Sequence, residues 1–432
     1  MAVAPKSTNP GPRRVILVLT IPPAERDLAA EREAELKSLL DTAGRAVVAT
    51  VTQHLTKPHN ATYLGSGKIV ELKKVMEEHD AEEAAFDVQL SPRQQRNLEK
   101  ELEASVLDYN QVILDIFLQN ARTSQAMLAV ELAQLEYNRA RLKRLWTHLD
   151  RVGGGGGAGM GAVRGTGEKQ IEIDKRLVRD RILDLKKRLA EIEAHRNRTV
   201  NARGDCFNIA LVGYTNAGKS TLMNALTNAE VLAEDRLFAT LDTRTAQLHL
   251  DGVHHAVLSD TVGFIRNLPP GLIASFHATL SEVREANLLL HVIDASNPAM
   301  DEQIKAVEEV LTAIAANTIP TIMVFNKIDR AASASLLSAY RRRYPDSVSI
   351  SAVTGEGLDE LRAALIAKAA ARLTPVTIRV SAGDGALQAF LRRRATIIDE
   401  RYEDEDALLT LAADPRLLDE LRNHPGVAIL AQ

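Results

Sequence analysis

The chain has 432 residues, 45% apolar and 25% charged, a composition that fits a soluble globular protein too long for a single core. A net charge of −4 supplies no global field that would advertise nucleic acid or membrane, and the lone Cys206 excludes an internal disulfide. No apolar run reaches transmembrane length, and the opening "MAVAPKSTNPGPRR" lacks a secretory core, so a short disordered lead (1–13) and a cytoplasmic location are expected.

From residue 14 short apolar runs alternate with amphipathic stretches. "VILVLTI", "RAVVATVTQ", "AAFDV" and "SVLDYN" read as strands. Helices are expected over 25–43, over 67–79, and in "SPRQQRNLEKELE", where Ser91 caps and Pro92 fills the first turn. That alternation predicts a parallel α/β domain over 14–115. "GSGK" at 65–68 lacks the spacing and hydroxyl of a phosphate loop and reads as a tight turn before a helix.

A helical region follows over 116–200. Leu128, Leu132, Leu135, Leu142, Trp146 and Leu149 keep a 4-3 spacing, with Arg139 in one seam position. Val178, Ile182, Leu185, Leu189 and Ile192 repeat it beyond a glycine-rich run, so an antiparallel helical hairpin with its tip at 153–167 is expected. Residues 121–200 carry 17 Lys and Arg against 10 Asp and Glu, a net of +7, which leaves −11 for the rest. A basic hairpin on an acidic body suits a polyanionic partner, and a solvated helix pair accounts for the charge equally well.

"CFNIALVGYTNAGKSTLMNAL" places Gly213, Tyr214, Thr215, Asn216, Ala217, Gly218, Lys219, Ser220 and Thr221 between a strand and a helix. This is the GxxxxGK[ST] phosphate loop in its required context. Inward backbone N–H groups and the helix dipole cradle phosphates, Lys219 reaches the β- and γ-phosphates, and Ser220 ligates Mg²⁺. Asp260 ends the strand in "HAVLSDTVGF" and would hold Mg²⁺ through water, while the Gly263 N–H would meet the γ-phosphate. In Asn326-Lys327-Ile328-Asp329 the Asp329 carboxylate matches the N1–H and exocyclic amine of guanine, which selects GTP over ATP. Ser351 and Ala352 would offer a backbone N–H to guanine O6. A doubly wound, Ras-like GTPase domain over 204–371 follows from these elements.

A threonine should close over Mg²⁺ and the γ-phosphate, and "RLFATLDTRTAQ" offers Thr240, Thr243 and Thr245, with Thr240 favoured by its "LFAT" context. The position that carries a water-orienting glutamine in Ras-like enzymes is Phe264, so unassisted hydrolysis is expected at or below roughly 10⁻⁴ s⁻¹. A partner residue, an arginine or a monovalent cation must supply the missing electrostatics. Asn216 is placed to hold such a cation, or simply tolerates a turn. His254 and His255 lack a second ligand pair for zinc, and Cys206 reads as a core residue.

On "YLGSGKIVELK", "LSPRQQRNLE", "QVILDIFLQNARTSQAMLAVELAQLEY", "RGTGEKQIEIDKR", "LFATLD" and "DTVGFI", residues 14 to about 370 resemble the HflX family of ribosome-associated GTPases. The resemblance implies a factor that binds the large ribosomal subunit and, with GTP, separates the subunits of stalled ribosomes. It also implies hydrolysis raised by the ribosome and, for an asparagine like Asn216, the use of K⁺. The proline and threonines that often follow "LFATLD" in the family are replaced here by Thr243-Arg244-Thr245. By the same resemblance the glycine tip reaches the peptidyl transferase centre, with Arg151, Arg164 and Lys169 on ribosomal RNA phosphates; a contact-free connection is the other reading. Residues 373–432 read as strand–helix–strand plus a short helix, a small C-terminal α+β domain whose "LRRR" is an RNA contact or a solvated helix end. A monomer is expected. The competing readings are a GTP-gated switch acting on a protein partner without ribosomes, and an RNA-remodelling protein with ATP on its N-terminal domain.

Overall fold

The computed structural model describes residues 12–55, 57–152, 164–202, 207–227, 237–238, 244–250, 255–266, 280–330, 334–413 and 415–431. The lead up to residue 11, the tip residues 153–163, Cys206, His254, Thr240 and Thr243 lie outside the described residues, as do the side chains of Arg151, Arg164, Lys169 and His255.

Four parallel strands open the fold in the order β2-β1-β3-β4: β1 (Arg13–Ile21), β2 (Arg45–His54), β3 (Glu83–Phe86) and β4 (Ser105–Leu107). β1 is apolar from Val15 to Leu19 because helices cover both sheet faces. Ile16 and Val18 face α2 (Ser66–Glu78) and α3 (Pro92–Leu102), while Val15 and Leu17 face α1 (Ala29–Thr42) and α4 (Tyr109–Asn120). The N-terminus of α3 is a capping box: Ser91 Oγ accepts the Gln94 N–H, and Gln94 Oε1 accepts the Ser91 N–H at 3.0 Å.

One expectation changes here. "SVLDYN" is strand only to Leu107, because Asp108 turns the chain and caps α4 by accepting the Gln111 N–H at 2.9 Å. Helix therefore begins at Tyr109, breaks at Ala121 and resumes in α5 (Ser124–Val152). α5 packs along α6 (Arg164–Ala202) through Leu132, Ile182, Leu185 and Leu189, and Arg181–Glu131 and Lys186–Glu136 ion pairs tie the two together. Asp108, fully buried, also anchors the hairpin: it accepts Tyr137 Oη–H at 2.7 Å and the Arg141 guanidinium at 2.6 Å.

The second sheet has the order β10-β9-β8-β5-β7-β6, from β5 (Phe207–Gly213), β6 (Arg244–His249), β7 (His255–Asp260), β8 (Leu288–Asp294), β9 (Thr321–Asn326) and β10 (Val348–Ser349). Every pair is parallel except the edge strand β6, which runs antiparallel to β7. α7 (Lys219–Thr227), α8 (Ser281–Glu285), α9 (Met300–Ala313), α10 (Ala334–Arg343) and α11 (Leu358–Ala370) accompany it.

The C-terminal part is richer than expected. β11 (Thr374–Ser381), α12 (Gly385–Arg394), β12 (Thr396–Glu403), β13 (Asp406–Ala413), α13 (Pro415–Asn423) and β14 (Val427–Ala431) form an antiparallel sheet ordered β12-β13-β11-β14. That is the β-α-β-β-α-β ferredoxin-like arrangement. The acidic "YEDEDA" stretch makes the β12–β13 hairpin turn, with Asp404 at φ 54°. Among the described residues no helix is long and apolar enough to cross a membrane.

Candidate functional site

The site gathers at the C-terminal ends of the central strands of the second sheet, the usual ligand edge of such sheets. The loop after β5 is shaped by three residues at positive φ: Gly213, Asn216 at 60° and Gly218 at 93°. Any Cβ on Gly213 would strike the Val292 carbonyl, and one on Gly218 would strike the Asn326 amide. Glycine is therefore required at both for close packing, not only for the turn.

Lys219 is buried at the head of α7 and donates to the Gly213 and Tyr214 carbonyls at 3.1 and 2.9 Å. Burial pushes its pKa down to about 8, against the pull of Asp260. His291 of β8 is buried nearby; burial and the Lys219 charge push it down to about 3, so it is neutral at ordinary pH. Ser220 Oγ donates to Asp260 Oδ2 at 2.6 Å. One hydroxyl and one carboxylate already side by side are a donor set that fits a hard, oxygen-seeking divalent cation.

Beyond Asp260 the chain stays beside the phosphate loop. Phe264 donates its N–H to the Gly213 carbonyl at 3.0 Å and accepts the Thr215 N–H at 2.8 Å. The Phe264 ring is 2% exposed, inside the core shared with α1, α4 and the hairpin. It occupies the glutamine position but points into protein, so it can neither orient nor polarise water.

The guanine elements and the phosphate loop are joined directly. Asn326 Nδ2 donates to the Ala217 carbonyl at 2.9 Å. Lys327, at φ 63°, donates to the Asn216 carbonyl at 2.8 Å and to Asp294 at 2.7 Å. Asp329 lies in the short helix Ile328–Arg330 that follows. The N–H groups assigned to guanine O6 are engaged: Ser351 N–H meets the Glu356 carbonyl at 2.9 Å and Ala352 N–H meets Asn326 Oδ1 at 3.0 Å. Thr221 sits in the first turn of α7, and Thr245 on β6 opposite Ser259.

Several participants escaped sequence reading. Asp294 holds Lys327 and also accepts the Ser296 N–H and hydroxyl, a turn signalled only by the Asp-x-Ser after an apolar strand. Arg266, Glu35 and Tyr109 surround Tyr214, and no local signal marks them.

Comparison with known proteins places this geometry. Residues 30–118 match the GTP-binding GTPase N-terminal family, 120–203 the GTP-binding GTPase middle region, and 208–327 the 50S ribosome-binding GTPase family. A GTPase HflX of Magnetococcus marinus is 42% identical over 96% of both chains. One from Escherichia coli is 41% identical over 91% of this chain and 92% of its own. The chain belongs to the HflX family. This HflX protein binds guanine nucleotide and is a GTPase, and its α/β architecture is that expected from the sequence. A solved GTP-binding protein from Sulfolobus solfataricus, in complex with GDP, matches 83% of this chain and 98% of its own at 24% identity and TM-score 0.43.

Proposed function

We propose that this HflX protein binds the large ribosomal subunit in its GTP form, separates the subunits of stalled ribosomes, and hydrolyses GTP when the ribosome completes its catalytic site. The observation that carries the reading is Phe264: its ring is buried in the core shared with α1 and the hairpin, so the group that activates water comes from elsewhere. Membership of a family described as a 50S ribosome-binding GTPase names the source.

In this reading the domains are 14–115, 116–200, 204–371 and 373–432. The backbone from Gly213 to Thr221 cradles the phosphates, and Lys219 leaves its carbonyl partners to meet the β- and γ-phosphates. Asn326, Lys327, Asp329, Ser351 and Ala352 hold guanine, with the Ala352 N–H shared between Asn326 and O6. Ser220, Asp260 and Thr240 would hold Mg²⁺, which neutralises charge on the β- and γ-phosphates. Gly263 offers its N–H to the γ-phosphate, and Asn216 helps to hold K⁺ beside it. The hairpin tip reaches ribosomal RNA near the peptidyl transferase centre, where Arg151, Arg164 and Lys169 meet phosphates. The protein is cytoplasmic and monomeric when free.

The test is GTP turnover in potassium buffer with and without purified large subunits. Stimulation of about tenfold or more, ~1.4 kcal/mol of barrier, is expected. A protein lacking 153–167 should lose it. An unchanged slow rate would shift the weight to a GTP-gated switch on a protein partner.

A further inference from the structure

Thr215 is buried in the phosphate loop, 6% exposed, and among the described residues its hydroxyl has no hydrogen-bond partner. Folded proteins rarely leave a buried hydroxyl unsatisfied unless a ligand or an ordered water completes it. Its backbone is not loose, because the Thr215 N–H is bonded to the Phe264 carbonyl at 2.8 Å.

The surroundings say which ligand. A Cβ built on Gly263 would stand 2.9 Å from both Thr215 Cα and Cγ2, and 3.1 Å from Lys219 Nζ. Thr215, Gly263 and the Lys219 ammonium thus converge on one point. Gly263 and Lys219 are the groups assigned above to the γ-phosphate, and the inference rests on that assignment. With its methyl set against Gly263, the Thr215 side chain borders the space where water must approach the terminal phosphoryl group. Phe264, one residue further along, has withdrawn into the core.

We propose that Thr215 is a catalytic residue whose hydroxyl accepts a hydrogen bond from the attacking water, in the place a glutamine would take. The water oxygen bonds to the γ-phosphorus as the bond to the β–γ bridging oxygen breaks. That electron pair leaves with GDP, and the proton from water ends on the released phosphate. The Thr215 hydroxyl orients the water and neither gains nor loses a proton.

A group waiting for its ligand leaves a signature that a packing residue does not. Thr215→Val keeps the shape and removes the hydroxyl. In the nucleotide-free full chain the melting temperature should rise by about 2 °C, because an unsatisfied buried polar atom is gone. GDP affinity should stay within about twofold. Single-turnover hydrolysis should fall about tenfold, and affinity for GDP with aluminium fluoride, which imitates the reacting phosphoryl group, should fall by a similar factor. Thr215→Ser should restore both. The proposal is overturned if Thr215→Val hydrolyses GTP at the wild-type rate, or if it slows only in step with lost GDP affinity and a lowered melting temperature. Lys219→Ala separates the two levels: if it hydrolyses like wild type, the assignment of the γ-phosphate end is itself wrong. If Lys219→Ala is inactive while Thr215→Val is normal, only the role of Thr215 fails.

Discussion

Tyr214 of the phosphate loop donates its hydroxyl to the carboxyl group of Glu35 on α1, across 179 positions of chain. The same hydroxyl accepts the Arg266 N–H at 3.0 Å, and the Arg266 carbonyl accepts Tyr109 Oη–H at 3.1 Å. The nucleotide loop, the segment after Gly263 and the N-terminal sheet layer therefore share one buried polar knot. Tyr214→Phe leaves Glu35 short of a donor in a buried position, so stability should drop by about 1–3 kcal/mol. Thermal or denaturant unfolding reads this, and an unchanged midpoint would show that the knot contributes nothing. Burial raises the Glu35 pKa above its usual value, against Tyr214 and Arg266, which lower it. A raised folded pKa gives stability that is full below the unfolded value of 4.5 and lost as pH climbs through the folded one. Glu35→Gln keeps an acceptor for Tyr214 and should flatten that part of the pH profile.

Asp108 makes a second prediction. Its two oxygens accept from the Leu90 and Gln111 N–H groups, the Tyr137 hydroxyl and the Arg141 guanidinium. Arg141 lies 3.4 Å over the Tyr137 ring and also donates to Gln95 at 2.8 Å. Asp108→Ala strips the cap of α4 and leaves a part-buried guanidinium uncompensated, at a cost of about 3–5 kcal/mol. Limited proteolysis should then cut within α5 at protease levels the wild type resists, whereas equal resistance would show that the apolar seam alone holds the hairpin.

How much of this was legible depended on whether chemistry or packing set the residue. Gly213 to Ser220, Asp260 and Asn326 to Asp329 were readable because phosphate, metal and guanine dictate residue type at fixed spacing. The hairpin seam was readable from its period, and the Ser91 cap from its local bonds. The start of α4 was not, because "QVILDIF" is continuously apolar and periodicity cannot separate buried helix from buried strand. β13 and β14 were missed for want of a turn glycine; a non-glycine residue, Asp404, makes the turn before β13. The Glu35–Tyr214–Arg266 knot and the buried Thr215 hydroxyl leave no sequence signal at all, since each exists only through distant chain brought together.

Lys219 predicts how nucleotide binding varies with pH. Its pKa in the empty site is pushed down to about 8 by burial, and phosphates arriving beside it favour the charged form. Binding therefore takes up a proton once the pH exceeds about 8, and GTP affinity should fall by up to about tenfold per pH unit above that point. Below it the Lys219 contribution is constant. Titration calorimetry in buffers of different ionisation enthalpy measures the proton uptake directly. No uptake at pH 9 would mean that Lys219 is already charged in the free protein at that pH.

The base preference turns on Asp329. Guanine presents two neighbouring donors, N1–H and the exocyclic amine, and a carboxylate at Asp329 accepts both. Asp329→Asn replaces one acceptor with a donor that confronts the exocyclic amine, leaving buried donors opposed. Loss of about 2–4 kcal/mol is expected for GDP, about 30- to 1000-fold in affinity. Xanthine carries an oxygen where guanine carries that amine, so the introduced amide can donate to it, and the variant should prefer XDP. The segment around the change should stay folded, since Asn326 and Lys327 hold the phosphate loop through bonds that do not involve Asp329. Competition between GDP and XDP on wild type and variant decides it: equal losses for both bases would mean that Asp329 supports the loop without reading the base.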